Sequence, residues 1–269
     1  MKIRALIAAP CIALLLASSA ALGEGSTADD RIAASTNGST LTGTNGGAGA
    51  SLAFLRNFDA ATLLAGALEY QALSDAHWAF GSVTGAMTRG PDDQRYTVSG
   101  ELHEGAGDDG PKSFHYRIEA VGVTGTYFHK LSALLEDKRI DVESSHGNLP
   151  IFGLSYLWGP HFQSAIGYQH SVSGNLGTRL WTARVDEYGP TVNFLAGAAA
   201  GKVSANVLNL GIDIPGTQLH EGYVGVSKPF SHARSELTLI ADYQDLSGTK
   251  RATLTLNYIF HVGASGSTR

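Results

Sequence analysis

The segment Tyr168-Gln169-His170-Ser171-Val172-Ser173-Gly174-Asn175 carries the residues best suited to covalent chemistry. A histidine can serve as base for a serine hydroxyl when the two side chains share one face of a strand, which asks for a spacing of two. Val172 occupies that place. Ser171 projects to the opposite face, and Ser173 lies three residues on, roughly 10 Å along a strand that rises about 3.3 Å per residue. Only a bulge would re-aim the pair. Glu187 is the carboxylate that would orient the imidazole, and nothing in the sequence holds it nearby. The spacing predicts a polar strand end running into a Ser-Gly-Asn turn. Acyl hydrolysis of phospholipid or lipid A is the alternative chemistry.

Ten histidines also raise the question of a metal. None forms a pair at helical ligand spacing. His103 and His115 can meet across neighbouring strands, with Glu101 and Glu119 close by, but this grouping reads as a hydrogen-bond and ion-pair network. Asp92-Asp93 and Asp108-Asp109-Gly110 lack the continued ligand spacing of a calcium loop and are ordinary turn chemistry. The glycine pairs carry no phosphate-loop or dinucleotide fingerprint. The expectation is therefore no catalytic residue, no metal and no cofactor.

The elements that would position these residues are strands. In 251–262, Ala252, Leu254, Leu256, Tyr258, Phe260 and Val262 share one face; Thr253, Thr255, Asn257 and His261 share the other, with Ile259 the exception. In 94–104, Tyr96, Val98, Gly100 and Leu102 oppose Arg95, Thr97, Ser99, Glu101 and His103. In 114–121, Phe114, Tyr116, Ile118 and Ala120 oppose His115, Arg117 and Glu119. In 236–244, Leu237, Leu239, Ala241 and Tyr243 oppose Glu236, Thr238, Asp242 and Gln244. Period two with one polar face marks a half-buried strand, and the pattern repeats almost to the end of the chain.

Such a chain is either a soluble β-protein with its apolar face inward or a membrane barrel with that face toward lipid. Aromatics near strand ends favour lipid, since rings suit the boundary between hydrocarbon and water: Trp78, Tyr96, Tyr127, Phe128, Tyr156, Trp158, Phe162, Tyr188, Phe230, Tyr258 and Phe260. The N-terminus agrees. Lys2 and Arg4 precede an apolar run from Ala5 to Ala17, and Ala21-Leu22-Gly23 supplies small residues before Glu24. That is the layout of a cleaved export signal, too short to span a bilayer as a helix. Cys11, the single cysteine, lies inside it, so the mature chain has no thiol or disulfide chemistry. Without Lys2 and Arg4, 17 basic side chains face 24 acidic ones, which argues against nucleic acid as a partner.

The expected organisation is a signal peptide over 1–23, a flexible Gly/Ser/Thr-rich lead-in over 24–48, a barrel over 49–262 and a short tail over 263–269. Strand starts fall near 62, 77, 94, 112, 126, 149, 161, 177, 190, 203, 217, 234 and 251. Single-chain bacterial barrels have an even count, so the expectation is an all-β antiparallel transmembrane barrel of about 12 strands, within a range of about 10 to 14. Connections 105–111, 138–148, 172–177 and 228–233 are expected at one end. Tight turns at Gly125, Gly159-Pro160, Gly189-Pro190 and Pro215-Gly216 are expected at the other. The lumen would be lined by Arg95, Glu101, His103, Arg117, Glu119, Glu236 and Asp242, with opposite charges meeting across neighbouring strands.

The closing strand, Thr253-Leu254-Thr255-Leu256-Asn257-Tyr258-Ile259-Phe260, resembles the C-terminal assembly signal of outer-membrane barrels, with Thr255 where glycine is usual. Thr253, Tyr258 and Phe260 are its expected elements. Residues 62–262 resemble the YaiO-type outer-membrane barrels in strand rhythm, in the Gly-plus-aromatic segments Phe152-Gly153-Leu154-Ser155-Tyr156 and Ile166-Gly167-Tyr168, and in the hairpin strand Leu237-Thr238-Leu239-Ile240-Ala241-Asp242-Tyr243. The resemblance implies a structural or pore-type barrel in the outer membrane. Its partners would be outer-membrane lipid and the barrel-assembly machinery.

Overall fold

The computed structural model describes residues 30–262, apart from 43–45, 60, 74–75, 92, 110–111, 143–144, 204–216 and 231–233. The strands are β1 (Asp30–Leu41), β2 (Gly47–Asp59), β3 (Thr62–Leu73), β4 (Ala76–Arg89), β5 (Gln94–Asp109), β6 (Lys112–Tyr127) and β7 (Leu131–Val142). They continue as β8 (Ser145–Gly159), β9 (Phe162–His170), β10 (Arg179–Tyr188), β11 (Asn193–Val203), β12 (Thr217–Phe230), β13 (Ser235–Leu246) and β14 (Thr249–Val262). Each pairs antiparallel with its sequence neighbour, and β1 pairs with β14, so the sheet closes into a barrel. The all-β antiparallel barrel read from the pattern is therefore the observed fold, at the upper bound of the expected strand range.

Two strands separate 12 from 14. Residues 30–41, read as lead-in, form β1, and the barrel begins at Asp30 rather than at 49. The cause is composition. The outward positions of β1 are Ile32, Ala34, Thr36, Gly38 and Thr40, only one of them large, so no apolar stripe marks the strand. Its backbone bonds to β2 on one side and β14 on the other hold it in place. β2 then takes in residues 47–59, and the strand start expected near 203 is instead the end of β11. The export signal, residues 24–29, the Pro215-Gly216 turn and the tail lie outside the described residues.

Connections at the end holding Asp30 and Val262 are short: 60–61, 90–93, 128–130, 160–161, 189–192 and 231–234. The opposite end carries 171–178 and 204–216, besides tight hairpins such as Ser247-Gly248. These are called the turn end and the loop end below. The 228–233 connection belongs to the turn end, and Gly125 lies within β6, contrary to the sequence expectation.

The outer face along the middle of the wall is apolar and exposed: Leu52, Leu68, Val83, Val98, Leu154, Val224 and Leu256 stand on it. A continuous apolar belt of this kind would aggregate in water and is the surface a bilayer requires. Aromatics border it. At the turn end Phe58, Tyr156, Trp158, Phe162, Phe194 and Phe260 point outward, with Tyr156 and Trp158 edge to face at 4.8 Å between ring centres. Toward the loop end come Tyr70, Trp181 and Tyr243. Trp78 and Tyr188, expected in these girdles, face the lumen instead; Tyr188 donates to Gln163 Oε1 at 3.2 Å.

Val83 and Thr84 are consecutive on β4, the first 55% exposed on the outer face and the second turned inward. Val83→Arg is expected to cost about 2–4 kcal/mol, the penalty for a lipid-facing cation near the bilayer midplane. Thr84→Arg should insert nearly as well as the parent chain. Folding yields into lipid vesicles check this, and equal yields for the two variants would refute the face assignment.

Candidate pore lumen

Alternation decides which side chains enter the barrel. Arg95, Glu101, His103, Glu236 and Asp242 occupy inward positions. Arg117 and Glu119 do not: they stand exposed on the outer wall, bonded to each other at 2.6 Å, while Phe114, Tyr116, Ile118 and Ala120 are buried inside. The alternation in β6 was legible, but the side was inverted. The reason is that the wall changes polarity along its height. In β6 the outward residues run Ser113, His115, Arg117, Glu119 and then Val121, Val123; in β7 they run Leu131, Ala133, Leu135 and then Asp137, Arg139, Asp141. Near the loop end the barrel is built like a water-soluble one, apolar within and charged without. Toward the turn end it is built for lipid.

Charged and amide side chains also line the inner face, some of them on the same rungs as the apolar residues. Gln71 Nε2 donates to Glu69 Oε1 at 2.8 Å, and His103 Nε2 bonds to the Glu101 carboxylate. Lys138 Nζ lies 3.2 Å from Glu136 Oε1. Arg184 gives Asp186 Oδ1 two bonds, 2.9 Å from Nε and 2.6 Å from Nη2. All these pairs run along one strand at a spacing of two, not across strands as the sequence suggested. Residues i and i+2 share a face about 7 Å apart, a gap two long side chains close without leaving their rotamers. Cross-strand bonds also occur: Ser227 donates to Glu236, and Arg251 Nη1 donates to Gln244 Oε1 at 3.2 Å. Glu69, Glu136, Lys138, Arg184 and Asp186 were missed from the sequence. Opposite charges two apart inside a strand were the available signal.

Toward the loop end, an apolar collar lines the bore. Tyr116, Ile118, Ile140, Val142, Leu149 and Leu176 form one buried cluster with Ile151 against it. Leu41, Trp78, Leu180, Val203, Leu219 and Leu246 are buried inward residues at the same ends of their strands. Leu176 is not on a strand. It comes from segment 171–178, which continues where β9 stops and lies along the free edge of β8. Val172 N–H donates to Asn148 O at 3.1 Å, and Asn175 N–H to His146 O at 2.9 Å. Ser173 Oγ accepts from Asn148 N–H at 2.9 Å, and Asn175 Oδ1 from His146 N–H at 2.9 Å. Side chains thus do part of a missing strand's bonding. Gly174 has φ of +70°, and a side chain there would strike the His146 carbonyl, so the segment closes on β8 only with glycine. Toward the turn end the inward residues of β4, β5 and β6 are mostly small, among them Ser82, Thr84, Ala86, Thr97, Ser99 and Thr124, whereas Arg95, Gln163, Tyr188 and Glu236 bring long side chains in from their strand ends.

The hydrolase alternative gains nothing from this arrangement. His170 is exposed on the outer wall, its ring stacked with Tyr168 at 6.2 Å and 14°. The Ser173 hydroxyl donates to Asn148 Oδ1 at 3.2 Å. Among the described residues no group of three His, Cys, Asp or Glu side chains could hold a metal ion. Of the expected assembly signal, Thr253 is buried inside, whereas Tyr258 and Phe260 point outward at the turn end.

A closed antiparallel barrel with an apolar outer belt, aromatic borders and a charged bore has the architecture of outer-membrane β-barrels. Known structures agree. The fold is similar to that of the CymD monoaromatic hydrocarbon channel, with a TM-score of 0.65 and 10% sequence identity over 98% of this chain and 96% of that one. It is also similar to the Acinetobacter baumannii outer membrane protein Omp33, with a TM-score of 0.53 and 13% identity over 86% of this chain and 98% of that one. At these identities the likeness is one of fold. No family model matches the chain, and no curated protein matches it.

The Arg184–Asp186 pair is the best-bonded ion pair of the inner face, with both side chains mostly buried. Asp186→Ala is expected to destabilise the barrel by about 1.5–3 kcal/mol, the range for a hydrogen bond to a charged group. Adding Arg184→Ala should then cost less than that substitution does alone. Urea unfolding of the vesicle-inserted protein measures both.

Proposed function

We propose that this chain is an integral outer-membrane protein of the pore type, exported with a cleaved signal and carrying no catalytic site. The observation that carries the reading is the set of paired charges facing the bore behind a lipid-type exterior. Such pairs brace the wall of any barrel, and where they face a conduction path they also set what passes. Short connections at the turn end fit the periplasmic side and the longer ones at the loop end fit the cell exterior. Tyr258 and Phe260, exposed on the closing strand, are the groups the barrel-assembly machinery would read. The Gly-plus-aromatic segments of β8 and β9 support the narrower placement among YaiO-type barrels.

The collar is the constriction of this pore. Apolar constrictions gate by excluding water, and Leu176 is its one member held by a loop segment rather than by strand pairing on both sides. In planar bilayers, purified protein should show small or infrequent conductance steps. Leu176→Ala should raise the conductance or open frequency severalfold, whereas Leu256→Ala on the outer wall should not. No steps from either the parent or the Leu176 variant would refute the pore.

Phospholipid and lipid A hydrolysis by the refolded protein should stay at the blank level and be the same for His170→Ala and Ser173→Ala. Turnover by the parent chain that both substitutions abolish would replace this reading with the hydrolase.

A further inference from the structure

Two cationic side chains and a histidine stand in one cross-strand row on the outer wall, near the loop ends of β9, β10 and β11. Arg179 lies directly opposite His170 on β9 and directly opposite Lys202 on β11, and all three are exposed. Directly opposite side chains on one face sit about 5 Å apart at Cβ, and like charges so placed repel. No carboxylate among the described residues pairs with Arg179 or Lys202. Of the outward carboxylates on β7, Asp137 shares the rung of the row by register through β8 and accepts from Asn148 Nδ2 at 3.0 Å instead. Elsewhere on the outer wall near the loop end, His77 pairs with Asp108 at 2.9 Å, His115 with Glu104 at 3.5 Å, and Arg117 with Glu119. Among the described residues, Arg179 and Lys202 have no such partner.

What lies beneath the row says where it stands. The next rung toward the turn end holds Trp181 opposite Tyr168, with ring centres 4.5 Å apart, and the rung after that holds Ala183 opposite Ile166 and Ala198. Apolar wall, then an aromatic pair, then two cations beside an imidazole is the order met on passing from hydrocarbon through the interface to the headgroups. Strands are spaced about 4.8 Å apart, so the row spans roughly 10 Å. That matches a phosphate monoester gripped from two or three sides.

We infer that His170, Arg179 and Lys202 form a binding site for a phosphate of an anionic glycolipid in the outer leaflet, with Trp181 and Tyr168 flanking its acyl region. The guanidinium supplies a two-point grip on phosphate oxygens, the ammonium a point charge and the imidazole a ring N–H. The site gives His170 a role that covalent chemistry did not. The inference rests on the membrane-barrel reading, but lipid binding and conductance are measured separately, so one can fail while the other stands.

The test is native mass spectrometry of the intact protein in detergent, titrated with bisphosphorylated lipid A, fully dephosphorylated lipid A and inorganic phosphate. The parent chain should bind the bisphosphorylated form at least about tenfold more tightly than the dephosphorylated one, and inorganic phosphate should not compete at lipid concentrations. R179Q/K202Q should lose that preference, R179K should keep most of it, and R139Q on β7 should leave it unchanged. Gel mobility before and after heating verifies that each variant is folded. Should the double variant fail to fold, the parent chain's preference between the two lipid A forms still decides. Equal affinity for the two forms, a folded double variant that binds like the parent, or effective competition by inorganic phosphate would each overturn the proposal.

Discussion

Every backbone N–H and C=O of a strand inside hydrocarbon must bond to another strand, because no water is present to take its place. The pairing of β1 with β14 meets that demand at the last open edge, and the rest of the molecule follows from it. It explains why residues as small and polar as Ser35, Thr36, Asn37 and Gly38 form a strand at all. Their contribution is two rows of backbone bonds rather than buried side-chain area, and they bond to β2 and β14 along almost their whole length. Removing β1 and β2 from this closed sheet would expose the edges of β3 and β14 to lipid.

Closure also creates an inside, and the inside is used in two ways. Where the wall is surrounded by lipid, inward positions carry charges paired along single strands, with small hydroxyl residues among them on β4, β5 and β6. Where the wall rises toward the loop end, inward positions pack as an apolar collar and the outer face becomes charged. β6 and β7 show the switch within single strands, at about residue 120 in one and 136 in the other. One period-two pattern serves both regimes because the solvent on the two faces exchanges. The interior is therefore charged in its middle and apolar toward the loop end.

Segment 171–178 joins these regimes. β9 ends at His170, leaving the β9-side edge of β8 residues 146–148 without a strand, and Val172, Ser173 and Asn175 supply the bonding through backbone N–H groups and side chains, around the left-handed Gly174. The same geometry turns Leu176 into the collar and His170 outward to the cationic row. An edge left open by a short strand thus sets the positions of both the constriction residue and the histidine.

Period-two alternation and the distribution of aromatics were enough to point to an all-β barrel of outer-membrane type, because those features depend on local spacing and on solvent preference alone. Most strand positions from residue 62 onward followed from the same signal. Three things did not. β1 was invisible because its stabilisation comes from backbone pairing with a strand more than 200 residues away. Arg117 and Glu119 were assigned to the lumen because alternation gives two faces but not which of them is inside, and here the answer changes along one strand. The row of His170, Arg179 and Lys202 joins residues from three strands, and only the register of β9, β10 and β11 brings them onto one rung of one face. Register is set by turn lengths and by closure of the whole sheet, so it belongs to the tertiary structure.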